Sequence, residues 1–425
     1  MLALGSLLLS LAATAVGQDL NDVQAGNDTD NSTAPIRGDY TWTPTCKLPS
    51  PEGFQTGMGF EFNAGCVNST GSVNALAIFV DFPDAEDKDP DSLTAVYEKM
   101  VPPTIEWYKK ASYNKLKLNI KADTSKYHRM PKAASEYDWL GRQSGYWYPN
   151  RYIQDALDAF TANSTRPPPS VDILYIIPTS QAANYISRSQ TQYDPVSTRR
   201  GEKVAKKVVT IGAADWDLAA MNMVHETGHT VCMSDYYAFD TFSEYYTGEF
   251  GVMSQSEGMA PDFFSWDKYR LGWIEDQAVD CVLEAGSTEH VLTPLSAEGG
   301  KKSIIIAGSE ISALVAEVRT ADGVDKDLCA PGVLLTEVNT KIAGGSGPIR
   351  VLDATPGSLG CPGRLYDLND ATLSLTKEGS QSLAYEPVSS FEVPGWNVTV
   401  TLLSVDDSKY TIRVDRETSV KIDSW

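Results

Sequence analysis

The stretch Val224-His225-Glu226-Thr227-Gly228-His229 constrains this chain more than any other. Only four histidines occur in 425 residues, and two of them stand four apart around a glutamate. On a helix, residues i and i+4 lie one turn apart on the same face, so both imidazoles can reach one ion. Zinc takes such a nitrogen pair with a third protein ligand and, in catalytic sites, keeps a fourth position for water. The glutamate beside the first histidine is then placed to take a proton from that water. The plainer reading is a surface helix with two solvated histidines, and the scarcity of histidine weighs against it.

Two histidines do not close a site. Asp235 lies six residues past His229. If the helix ends near Cys232 and the chain reverses, its carboxylate returns to the ion. Two neutral imidazoles and one carboxylate are a ligand set that zinc uses in catalysis, with a net site charge that still acidifies bound water. Glu244, Glu249, His128 and His290 are rival ligands without a defining spacing.

The formal net charge of −21 argues against nucleic acid and anionic membranes as partners. Leu2 to Ala13 is a short apolar run followed by small residues, the pattern of a signal peptide over 1–17 that is too short to span a bilayer. Asn-x-Ser/Thr sequons at Asn27, Asn31, Asn68, Asn163 and Asn397 agree with secretion. So do the six cysteines, an even number that favours three disulfides in an oxidising compartment. Short-range pairing joins Cys46 to Cys66 and Cys329 to Cys361, leaving Cys232 with Cys281. The expectation is a secreted, extracellular monomer with no membrane insertion.

Residues 18–70 read as an N-terminal leader and candidate propeptide. Within them, 18 to about 45 are rich in Asp, Asn, Thr and Gly. Leu76 to Phe82 is a continuous apolar run, the pattern of a buried strand. Ser92 to Tyr108 is helical in pattern, with a break or kink at Pro102-Pro103. Leu116, Leu118 and Ile120 alternate with polar residues, a strand with one wet face. Tyr152 to Phe160 predicts a helix, and Val171–Ile177 and Lys207–Ile211 predict strands. From about residue 280, short strand patterns replace helical ones. The fold class expected is α+β: a zincin-like catalytic domain over 71–279, with a mixed twisted sheet and a metal-bearing helix, followed by an all-β, sandwich-like domain over 280–425.

The run His225-Glu226-Thr227-Gly228-His229-x-x-Cys232-x-x-Asp235-Tyr236-Tyr237 resembles the extended zinc signature of the immune inhibitor A-type metallopeptidases, a metzincin-like family. Gly251-Val252-Met253-Ser254 resembles the Met-turn beneath the metal in that family. Phe264 to Ile274, with Leu271-Gly272-Trp273, resembles its "LGW" segment. Ala77–Asp84 and Tyr108–Leu118 resemble its first strand and the stretch after its first helix. The likeness covers roughly residues 75–340. It implies that His225, His229 and Asp235 hold one zinc ion, that Glu226 is the catalytic base, and that Met253 forms the Met-turn. Calcium is a further candidate ion by the same analogy, without any defined calcium loop in the sequence. The family places glycine where this chain has Cys232, a point where a sharp helix exit calls for positive φ. Metzincins often carry a tyrosine after the methionine that assists the oxyanion. Ser254 and Gln255 follow here, leaving Tyr236, Tyr237, Tyr245 and Tyr246 as substitutes.

The function expected is zinc-dependent endoproteolysis of proteins or peptides by metal-activated water. The alternative is a secreted glycan- or surface-binding glycoprotein with a relic or structural zinc site. The intact Glu226 favours the first.

Overall fold

A computed structural model describes residues 46–418 apart from 51–55, 61–64, 90–91, 138–148, 163–167, 215–217 and 385. The signal-peptide reading, the sequons at Asn27, Asn31 and Asn163, and the first part of the leader fall outside these residues. Asn68 and Asn397 are exposed.

The first sheet collects β1 (Gly71–Asp81), β2 (Leu116–Ala122), β3 (His128–Arg129), β4 (Val171–Pro178), β5 (Gln190–Gln192), β6 (Val196–Ser197) and β7 (Lys203–Thr210). Its main path runs β2-β1-β4-β7-β5. β2, β1, β4 and β7 are parallel, and β5 returns antiparallel along the edge of β7. Parallel neighbours need crossovers, and α1 (Ser92–Ala111) and α2 (Pro149–Thr161) supply them. Successive residues of a strand face opposite ways, so the apolar run in β1 is divided between two cores. Ala75, Ala77 and Phe79 face α1 and the histidine-bearing helix α3 (Ala219–Thr230), while Leu76, Ile78 and Val80 face α2. A strand covered on both faces reads as continuously hydrophobic, which is the pattern in the sequence. β2 covers only one face and keeps its alternation.

The expected break at Pro102-Pro103 does not occur. α1 runs through both prolines. Its buried stripe (Val96, Met100, Thr104, Trp107, Tyr108, Ala111) continues past both prolines, and Pro103 is exposed at its border. Burial of this stripe against α3 and the sheet outweighs the backbone bonds the prolines cannot make, about 3 kcal/mol each in an isolated helix.

A five-stranded sheet follows, ordered β13-β12-β11-β10-β8, from β8 (Val279–Val282), β10 (Ser303–Ser309), β11 (Ser312–Arg319), β12 (Gly332–Asn339) and β13 (Ile349–Leu352). A four-stranded sheet, β14-β15-β16-β9, is built from β9 (Gly286–Leu292), β14 (Ser390–Val393), β15 (Val398–Asp406) and β16 (Lys409–Arg416). Ile304, Ile306, Leu314 and Leu335 share one core with Val400, Leu402, Ile412 and Val414, so the two sheets bury a common interior.

The other face of the five-stranded sheet has no solvent. Ile305, Ala307, Val315, Leu334 and Val338 belong to the same core as α1 and α3. The described residues accordingly form one compact unit, with the hydrophobic interior continuous across position 280. A buried ionic network ties this sheet to α4 (Ser265–Arg270) and its approach. Lys268 pairs with Asp262 at 2.6 Å, and Arg319 pairs with Glu317 and Asp325 at 2.6 Å each.

Two of the three expected disulfides are corrected. Cys329–Cys361 is present, but the others are Cys46–Cys281 and Cys66–Cys232 rather than Cys46–Cys66 and Cys232–Cys281. The cause is the placement of residues 46–69. Cys46, Leu48, Met58 and Val67 are buried in the main core, and the segment lies along α4. The Trp266 indole donates to the Met58 carbonyl, Arg270 donates to the Gly59 carbonyl, and Trp273 donates to the Ser69 carbonyl. The segment runs across the body of the molecule, so each of its cysteines meets a distant partner before it meets the other. The described residues of 46–69 are thus packed into the body of the molecule.

Candidate metal centre

The helix α3, which carries both candidate histidine ligands, is fixed from three sides. The Tyr108 hydroxyl of α1 donates to the Val224 carbonyl at 2.7 Å, and Tyr175 of β4 meets the Thr227 hydroxyl at 2.8 Å. From below, Met253 lies against Gly228, where a Cβ would come within 2.5 Å of the methionine sulfur. Glycine at the fourth residue of the motif is therefore what lets Met253 approach between the two histidines. His225, Glu226 and His229 are all buried.

Backbone carbonyls set the tautomer of each imidazole. His225 Nδ1 donates to the Val252 carbonyl at 2.7 Å, and His229 Nδ1 donates to the Met233 carbonyl at 2.8 Å. A histidine committed through Nδ1 presents the lone pair of Nε2. Both Nε2 atoms point at Asp235 Oδ1, at 3.1 and 3.2 Å. Tetrahedral bonds of about 2.0–2.1 Å put neighbouring ligand atoms about 3.3 Å apart, so the three donors fit one ion. His225, His229 and Asp235 are the only group of metal-ligating side chains found among the described residues. The charges agree with a cation site. Burial pulls the His229 imidazole down, but the Asp235 carboxylate outweighs it and raises the group to about 9. Burial also acts on Asp235, yet the two histidines hold it well below the usual carboxylate range.

Asp235 arrives there by a tight reversal. α3 ends at Thr230, Cys232 takes φ +65°, and the Met233 amide bonds back to the Gly228 carbonyl at 3.1 Å. A left-handed residue with a Cβ costs about 1 kcal/mol or more relative to glycine. The Cys66–Cys232 disulfide and the bond from the Val67 amide to the Thr230 carbonyl hold the turn in place. Beyond it, the Tyr236 amide donates to the Met253 carbonyl, and its hydroxyl donates to Asp267 Oδ1 at 2.7 Å. The turn between β12 and β13 closes the loop from outside. The Gly345 amide donates to the Asp235 carbonyl, and the Gly345 carbonyl accepts from the Phe239 amide, both at 3.1 Å. Gly345 has φ +76°, and a Cβ there would come within 2.1 Å of the Phe239 ring.

Glu226 lies beside the ligands with its own partner. The Thr191 hydroxyl of β5 reaches both Glu226 Oε2 and the Glu226 carbonyl, at 2.8 Å each. Burial raises the Glu226 carboxyl above its ordinary value. Tyr193, just past the end of this short edge strand, places its ring 6.4 Å from that of His229. Tyr237 places its ring 6.3 Å from His225. Burial, then the nearby Asp235 and Glu226 carboxylates, push both phenols up.

Of the four candidate tyrosines from the sequence, only Tyr237 faces the site. Tyr236 is turned inward to Asp267. Tyr245 meets Phe242 and Tyr246 edge to face, and Tyr246 lies under Arg350. The rival ligands are engaged elsewhere: Glu249 by Arg364 and Asn369, Glu244 by Gln255, His128 by Asp123, and His290 by Asp280. Thr191 was not evident from the sequence because β5 has three residues, too few to show a period, and Tyr193 follows it in irregular chain. Comparison with protein-family models and with curated proteins found no match for this chain.

Proposed function

We propose that the protein is a secreted, zinc-dependent endopeptidase of zincin-like fold, acting as a monomer on protein or peptide substrates. The observation that carries this reading is the convergence of His225 Nε2, His229 Nε2 and Asp235 Oδ1 beside a buried, separately held Glu226. Two imidazoles and a carboxylate suit zinc over calcium or magnesium, which prefer oxygen shells. Bound there, zinc would polarise a substrate carbonyl and acidify water. Glu226 accepts the proton of the attacking water at its carboxylate, oriented by Thr191, and returns it to the leaving amine. Tyr193 and Tyr237 flank the ligands and supply phenolic hydrogens to a developing oxyanion. The edge of β5 away from β7 pairs with no strand among the described residues, so an extended peptide can lie along it. The three disulfides suit an oxidising compartment, and no helix of the described residues is long and apolar enough to cross a membrane. A glycan- or surface-binding protein would have no use for a buried carboxylate gripped beside the ligands.

The test is metal analysis and casein hydrolysis, with and without chelator, on the full chain and on Glu226→Gln. One zinc per chain is expected in both, with kcat lowered about 10²–10⁴-fold in the variant. An active Glu226→Gln removes the base assignment; a wild type without zinc or without proteolysis removes the reading.

A further inference from the structure

The loop that carries Asp235 continues into a row of aromatic side chains exposed to solvent. Tyr237, beside His225, has its ring 5.2 Å from that of Phe239. Phe239 is 57% exposed, Phe242 61% and Tyr245 50%. Phe242 and Tyr245 meet edge to face at 5.4 Å. Single exposed apolar residues need no explanation, but adjoining exposed aromatics mark a binding surface.

These rings are held rather than loose. The Phe239 amide is bonded to Gly345, and its ring occupies the space that a Cβ at Gly345 would fill. The Ala238 amide bonds to the Ser243 carbonyl and closes the loop on itself, and the Tyr245 amide bonds to the Phe242 carbonyl. Rigid aromatic rings offer contact area at little entropic cost. The charged side chains between them are acidic, Asp240 and Glu244. From His225 through Tyr237 to Phe239 the path is on the order of 10 Å, about three residues of extended peptide.

We propose that Phe239, Phe242 and Tyr245 form the substrate-selecting surface of the enzyme. The occupant is a polypeptide segment with an aromatic or large aliphatic side chain within about three residues of the scissile bond, and with no acidic side chain there. This rests on the peptidase reading above. Phe239 adjoins the metal centre through Tyr237, and the bond from the Ala238 amide to the Ser243 carbonyl holds Phe242 in the same loop, so one extended chain can touch both. The apolar rings contribute binding, and Asp240 and Glu244 repel carboxylates.

The experiment compares kcat/KM of the zinc-loaded full chain on a peptide series differing only at positions flanking the cleaved bond, with Phe, Leu, Ala or Asp. The wild type should prefer Phe and Leu over Ala by about 10-fold or more, with Asp poorest. In Phe239→Ser/Phe242→Ser the Phe-to-Ala ratio should fall toward one, and Phe239→Leu should restore part of it. Zinc content measured on each variant confirms that the centre is intact. Cleavage without an apolar preference, or a preference unchanged in the double variant, overturns the surface and leaves the peptidase reading standing. Zinc-loaded wild type that cleaves neither these peptides nor casein overturns the peptidase reading, and the surface proposal with it.

Discussion

The histidines and the aspartate reach the same point by different means. His225 and His229 are placed by a single helical turn, and their separation follows from helix geometry wherever that helix is buried. Asp235 sits on a loop whose course depends on contacts from four distant parts of the chain. Cys66 bonds to Cys232, Met253 receives the Tyr236 amide, Asp267 receives the Tyr236 hydroxyl, and Gly345 binds the Asp235 carbonyl. Ligands on one helix are cheap to specify and hard to disturb separately. A ligand on a loop is only as well placed as its supports, which makes the loop the point where remote changes reach the candidate metal site.

That contrast can be broken most sharply at the ligands. His229→Ala should abolish zinc binding, and Asp235→Ala should leave a residual two-histidine site of much lower affinity, as read by zinc titration. The thermal response provides a second measure. Zinc at 100 times its Kd stabilises a native fold by about 2.7 kcal/mol, so Tm should rise with zinc in wild type and stay unmoved in His229→Ala. Equal affinity of Asp235→Ala and wild type would show that the loop carries no ligand.

The supports come next in size. Cys66→Ser/Cys232→Ser should cost about 2–5 kcal/mol of stability, measured by reversible denaturation. Cys66→Ser/Cys232→Gly should recover about 1 kcal/mol of that loss, because glycine adopts φ +65° without strain. A serine variant as stable as the glycine one would mean that the turn relaxes once the bridge is gone. The smallest effect is expected at Gly345→Ala, which displaces the Phe239 ring and loosens the Asp235 carbonyl. Zinc affinity should fall about 10-fold, in the range seen when groups behind metal ligands are altered. A variant of unchanged affinity would confine the role of this turn to the aromatic surface.

The same contrast separates what could be read from the sequence and what could not. The two histidines, Glu226 and the short step to Asp235 were legible because each relation spans ten residues or fewer. Helix period and chain reversal act over that range. The strands in β1 and β4 were legible through their apolar runs, and β2 through its alternation. The disulfides were not, because pairing neighbours along the chain ignores where residues 46–69 lie; the true partners are 235 and 166 residues away. Thr191 stands in a strand too brief to announce itself, and Tyr193 just beyond it. The tandem prolines misled in the opposite direction. Local propensity ends a helix there, but the buried face of α1 carries it on. Cys232 was readable as an oddity, and its reason became visible only with Cys66 opposite it.

The position of Cys46 and Cys66 sets a limit on how this chain can be trimmed. A cut between them leaves the upstream piece bridged to Cys281 and the downstream piece bridged to Cys232. A cut just after Cys66 leaves the severed stretch bound at both ends. On the N-terminal side, only residues before Cys46 can be released by a single cut without reducing a disulfide.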